Sequence, residues 1–258
     1  MSDQQGPRLP TTLPEVVSVM RAFREELPDS DPQLRAFLDT YLRTTEAVGS
    51  AVRSGVFEDA AWVESWDVAF ARLYLTALEG QMTGGHVSRP WRLAFSAPRG
   101  LPPLRHVLLG INAHVNYDLP QALLEVISDE DFADPRILSR RRRDHERIDA
   151  VLSGRVSAED EHLESVSRVT LLDRALRPVN RRASKRFLKE ARLKVWHNTQ
   201  ALQRARVAGP ESYRTRLFEL EVLSAARLAD LLAPGQVLLR LAVSGFGVVL
   251  PPPGVDAS

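Results

Sequence analysis

From Leu34 to Val52 the apolar side chains fall at helical spacing: Leu34, Phe37, Leu38, Tyr41, Leu42, Val48 and Val52 share a face, with Thr45 among them. The pattern returns at Trp62, Trp66, Phe70, Leu73 and Ala77, and again at Tyr213, Leu217, Leu220, Ser224, Leu228 and Leu231. No series of short segments alternates apolar with polar residues, and no heptad seam or internal repeat runs along the chain. Helices of this kind must bury their apolar stripes against one another, so the fold class expected is all-α, a single-domain multi-helix bundle.

Local signals set the expected boundaries. Residues 1–12 read as a flexible tail and 13–233 as one helical domain. Residues 234–258 read as an extended C-terminal segment with a disordered tail. Within the domain a helix from Leu13 to Leu27 stops at Pro28-Asp29-Ser30, and Asp31-Pro32 starts the next as N-cap and first helical residue. Gly55 ends that helix and another opens near Glu58. The Gly- and Pro-rich stretch 83–103 reads as a long loop holding a short helix around Trp91–Phe95. Further helices are expected over 135–153, 157–177, 180–206 and 211–232, while 236–250 stays open between helix and extended chain.

Composition narrows the function classes. At 258 residues the chain can bury a substantial core, and its net charge of +1 supplies no general attraction to nucleic acid or acidic membranes. With no cysteine, thiolate catalysis, disulfides and Cys-based metal sites are excluded. No apolar run approaches the roughly 18 residues of a membrane span, and the polar, proline-rich start has no signal-peptide core; a cytoplasmic location is the expectation. Phosphate loops, dinucleotide fingerprints and nucleophile elbows are likewise missing from the sequence.

The chemistry concentrates in HVLLGINAHVNYDLPQAL, residues 106–123. On a helix His106, Gly110, His114 and Asp118 form one stripe inside an otherwise apolar segment. Buried imidazole and carboxylate need partners, so His114 and Asp118 are the leading candidate site residues, as a metal-holding or an acid/base pair. Asn112 and Asn116 make a second polar pair at the same spacing. His106 lies about 12 Å from His114 along the axis, too far to share a metal. A second possibility for Asp118 is an N-cap ahead of Pro120 and Gln121, with His114 then a satisfied core histidine. Gly110 reads best as a close-packing position.

Elsewhere Asp67, on a face with Ala71 and Tyr74, can add a carboxylate, and His197 in Trp196-His197-Asn198 can add an imidazole. The metal set expected from these candidates is His114, Asp118, Asp67 and His197. Arg140–Arg143 point all round a helix and read as a solvated face paired with Asp144 and Glu146. His145 and Asp149 share a face there. The basic stretch 174–206 also reads as solvated, since it lacks interleaved aromatics; no nucleic-acid partner is expected.

FLDTYLRTT, GVFEDAAWVESWDVAFARLYLTAL, PWRLAF and LLGINAHVNYDLPQAL together resemble a family of actinobacterial proteins known only as a domain of unknown function. The resemblance spans roughly residues 30–205 and implies a shared fold and pocket, with no reaction attached. AHVNYDLPQAL is also similar to the His-x-x-x-Asp-x-x-Gln-Pro-x-His helix of the zinc-dependent phospholipase C and nuclease superfamily, itself all-α. That similarity implies zinc at His114 and Asp118. Pro120-Gln121 stands where the motif has Gln-Pro, and no histidine follows, so what is implied is a one-metal site.

Three functions stay open at this level. The first is a metal-assisted hydrolase, on phosphoesters for example, with a divalent ion such as zinc at His114 and Asp118 and with Asn112 and Asn116 orienting a small-molecule substrate. The second is a metal-free acid/base enzyme of specialised metabolism, with a pocket shaped by Trp66, Phe70, Trp91 and Tyr117. The third is a non-catalytic helical binding protein.

Overall fold

The structure, a computed structural model, describes residues 9–148, 151, 171–235 and 247–253, with the backbone alone for 171–189. The fold is all-α, as the periodicity requires, and among the described residues there is no strand. In chain order the helices are α1 (Leu13–Glu26), α2 (Pro32–Arg53), α3 (Ala60–Thr83), α4 (Arg89–Phe95), α5 (Pro103–Ala113), a π turn (His114–Asp118), α6 (Leu119–Val126) and α7 (Asp129–Ala133). They are followed by α8 over 135–148, α9 (Leu171–Ala208) and α10 (Pro210–Leu232).

The ends follow from the residues that sit there. Thr12 accepts from the backbone N–H of Glu15 at 3.3 Å and caps α1, and Asp59 accepts from Trp62 N–H at 3.1 Å and caps α3. Asp31 occupies the N-cap of α2 as expected, but its carboxylate is drawn aside to Arg99 at 2.6 Å and makes no cap bond. Gly84 ends α3 in the left-handed region at φ 76°, which only glycine adopts without strain. Elsewhere an arginine closes a neighbour's carbonyl end: Arg105 reaches Leu231 O at 2.8 Å at the end of α10, and Arg206 reaches Leu124 O at 2.9 Å near the end of α6. The break expected between 177 and 180 is absent. α9 runs through Pro178 as one helix, because the strong helix formers on both sides outweigh one missing hydrogen bond.

The rod formed by α5, the π turn and α6 is the axis of the bundle. α5 packs on α2, α4 and α10, while α6 packs on α3 and α9. Two apolar clusters meet along it. One joins Leu38, Tyr74, Leu78, Trp91 and Leu109; the other joins Trp62, Trp66, Phe70, Leu123 and Ile127. Gly110 is where α2 comes closest, since a Cβ there would overlap the Phe37 ring. The polar stripe of the sequence is therefore buried at the centre of the molecule.

The arginine run on α8 is a surface network, with more partners than the local acids. Arg142 meets Glu146 at 3.2 Å, Arg141 meets Asp59 at 2.5 Å and Asp131 at 3.2 Å, and Arg143 meets Glu58 at 2.8 Å. Asp144 is buried beneath it and accepts from the backbone N–H groups of Glu58 and Asp59, each at 2.8 Å, which ties α8 to the start of α3. Asp149 lies outside the described residues.

Candidate functional site

A regular helix would run from Pro103 to Val126, but the ladder slips at His114–Asp118 into a π turn, where Leu119 N–H bonds to His114 O. Pro120 gives a local reason, since it has no N–H to return to Asn116 and lies where the ladder has already slipped. π turns of this kind recur at functional positions. Asp118 has helical angles of −79° and −40° and makes no cap bond, so the capping role is not the one it plays.

Instead, Asp118 holds a buried triad. Its Oδ2 lies 2.9 Å from His114 Nδ1 and accepts from the indole Nε1–H of Trp91 at 2.8 Å. His114 and Asp118 expose only 3% and 2% of their surfaces. α4 supplies Trp91, so the short helix in the Gly/Pro-rich loop is the element that fixes the carboxylate. We assign the Nδ1–H tautomer to His114, which leaves the Nε2 lone pair free.

Five aromatic rings enclose that imidazole. Phe70 stacks on it at 3.5 Å and 4°, Tyr41 lies edge-on at 4.5 Å, and Phe37, Tyr74 and Trp91 stand between 5.7 and 6.0 Å. Around the rings, among the described residues His114 Nε2, Asp67 Oδ2 and Tyr74 Oη are buried without hydrogen-bond partners, while the Tyr41 and Thr45 hydroxyls, one turn apart on α2, have each other. Unpartnered polar atoms of this sort are rare in native interiors.

Burial controls the electrostatics. It pushes His114 well below the ordinary imidazole value and Asp118 well above the ordinary carboxylate value, the Trp91 hydrogen bond opposing the latter. It raises Asp67 to about 7. Burial, followed by the charges of Asp67 and Asp118, holds the Tyr41 hydroxyl far above its usual range, so both carboxyls act on one phenol. No lysine or arginine figures among the influences on His114, Asp118, Asp67 or Tyr41.

The other sequence candidates divide. Asn116 donates to Asn112 Oδ1 at 3.2 Å and Asn112 donates to Leu108 O at 2.9 Å, a polar ladder along the rod. Asp67 is buried on α3 within electrostatic reach of Tyr41. His197 is exposed on α9 and faces Leu250 O at 3.2 Å instead. His106 is buried two turns earlier. Of the pocket aromatics, Phe70 and Trp91 ring His114; Trp66 belongs with Trp62 and His145, and Tyr117 packs with Leu124 and Leu202. Among the described residues no three His, Asp or Glu side chains gather as a metal-holding group. Tyr41 and Phe37 pack around the His114 ring, with Thr45 bonded to Tyr41, although their helical spacing marks them in the sequence only as an apolar face. The signal there was the polar Tyr41–Thr45 pair at i,i+4 on that face.

The family match covers residues 13–234, most of the chain. The chain belongs to DUF5995, a family of unknown function. No curated protein and no solved structure matches it. DUF5995 membership includes every helix that builds the triad and ends short of residues 247–253.

Proposed function

We propose that this member of DUF5995 is an acid/base enzyme for an uncharged small molecule, with His114 as general base, Asp118 as the residue that orients it, and Asp67 with Tyr41 as the facing proton-handling pair. The observation that carries the reading is the free, buried Nε2 of an imidazole whose other nitrogen is bound to a carboxylate. A base of this kind has its tautomer fixed and its lone pair aimed at whatever enters. A protonated Asp67 across the phenol can return a proton, so the two groups whose pKa values burial drives apart hold opposite roles.

The zinc implied by similarity to the phospholipase C helix does not fit these residues well. Asp118 Oδ2 is already shared by Trp91 and His114, and a catalytic zinc asks for three protein ligands. A phosphoester would also bring negative charge beside groups on which no lysine or arginine of the described residues acts.

The test is turnover by the purified chain on a panel of small uncharged esters, epoxides and ketones. Turnover is expected to survive exhaustive chelation and to fall by about 100-fold or more in His114→Gln and Asp118→Asn. Activity that chelation removes and zinc restores overturns the reading in favour of the metal hydrolase. Absence of any turnover or ligand, with His114→Gln altering the melting temperature alone, overturns it in favour of a structural pair.

A further inference from the structure

The segment Gly247–Pro251 is held through its main chain by side chains of other elements. It has no helical or strand structure of its own, yet five side chains from the rod, α9 and α10 bind its main chain. The Asn198 amide grips it twice, donating to Val248 O at 2.9 Å and accepting from Leu250 N–H at 2.9 Å. A carbonyl and an N–H two residues on point the same way only in an extended chain, and a primary amide is the side chain that matches that donor–acceptor pair. Val248 N–H reaches Asn116 Oδ1 at 3.4 Å, Lys194 donates to Gly247 O at 3.2 Å, His197 Nε2 meets Leu250 O at 3.2 Å, and Arg216 donates to Pro251 O at 2.6 Å.

Side chains alternate as in a bound strand. Val249 is 44% exposed while Leu250 is fully buried against Leu124, Ala201, Leu202 and Leu220. Gly247 lies so close to α9 that a Cβ would come within 2.8 Å of Lys194 Cδ. Asn198 itself is 1% exposed, a polar group set into the wall of the cleft.

The geometry points to a peptide-recognition groove between the π turn, α9 and α10, whose resident ligand is the chain's own Gly247–Pro251. Its recognition rule is an extended backbone with glycine, then leucine three positions on, then proline. Main-chain bonds supply affinity and the leucine pocket supplies selectivity, as in other grooves that bind extended peptides. The partner it fits is a protein segment of that pattern, which competes with the cis segment for the groove. Tethering gives the cis segment an effective concentration in the millimolar range, so a free peptide wins only once the resident is weakened.

The experiment uses the full chain. Leu250→Asp puts a charge on the anchor and releases the segment; a fluorescein-labelled peptide of residues 247–253 (GVVLPPP) is then titrated by anisotropy. The Leu250→Asp chain is expected to bind the peptide saturably and at least tenfold more tightly than the wild type, and adding Asn198→Ala is expected to weaken that binding at least tenfold. A folded Leu250→Asp chain that shows no saturable binding, or binding indifferent to Asn198→Ala, overturns the proposal. Should Leu250→Asp not fold, hydrogen exchange in the wild type decides. Protected Leu250 and Val248 amides that lose protection in Asn198→Ala support the groove; exchange at free-peptide rates in the wild type overturns it.

Discussion

At the scale of single residues, Asp67 has the clearest consequence. Burial lifts its carboxyl to about 7, while an unfolded chain releases the same proton near 4. Between those values the native state holds a proton that the unfolded state has lost, so stability falls as pH rises from about 4 to about 7 and is level above. Three units correspond to about 4 kcal/mol as an upper bound. Asp67→Asn is therefore expected to flatten the pH dependence of the denaturant midpoint and to raise it at pH 8. An unchanged slope would show that the carboxyl is solvated or paired in solution.

At the scale of elements, the π turn and the close approach of α2 act together. The turn keeps His114 and Asp118 paired while Pro120 lets the rod continue, and Gly110 allows Phe37 to reach the imidazole it helps to enclose. Gly110→Ala improves helix propensity yet forces its Cβ into a ring held by Tyr41, Tyr74 and Trp91. The overpacking is expected to win, costing about 1–3 kcal/mol, and urea melts would measure it. A stabilised Gly110→Ala chain would mean that α2 moves away freely, and the enclosure of His114 would then be loose.

At the scale of the whole molecule, charge and burial hold the α3–α8 corner to different degrees. Glu58 is pulled down to about 2, first by its hydrogen bond from Arg143, yet that contact is open to water and salt. Arg143→Ala should shift the melting temperature by no more than about 2 °C, an effect that molar salt removes. Asp144→Ala removes a buried acceptor from two part-buried backbone N–H groups and should cost about 2 kcal/mol. Equal losses in calorimetry would place the strength of the corner in its surface arginines.

The helical class, the ends of α1 to α3 and the burial of residues 106–123 were legible in the sequence, because spacing, Pro, Gly and capping residues act over a few positions; the passage of α9 through Pro178 and the π turn were not. The pairing of His114 with Asp118 was equally local, being one turn long. The partner that fixes Asp118, Trp91, comes from another helix, and so do Tyr41, Thr45 and Phe37 around the imidazole. Asp118 had two local readings, cap or site residue. The choice between them rested on which donors reached it, and that is a property of packing. The same holds for His197, a metal candidate by residue type, which tertiary structure sets against the main chain of Leu250. The sequence by itself determined that a polar pair would be buried in a helical bundle; only the tertiary structure decided what surrounds it, since burial and hydrogen-bond partners are fixed by elements distant along the chain.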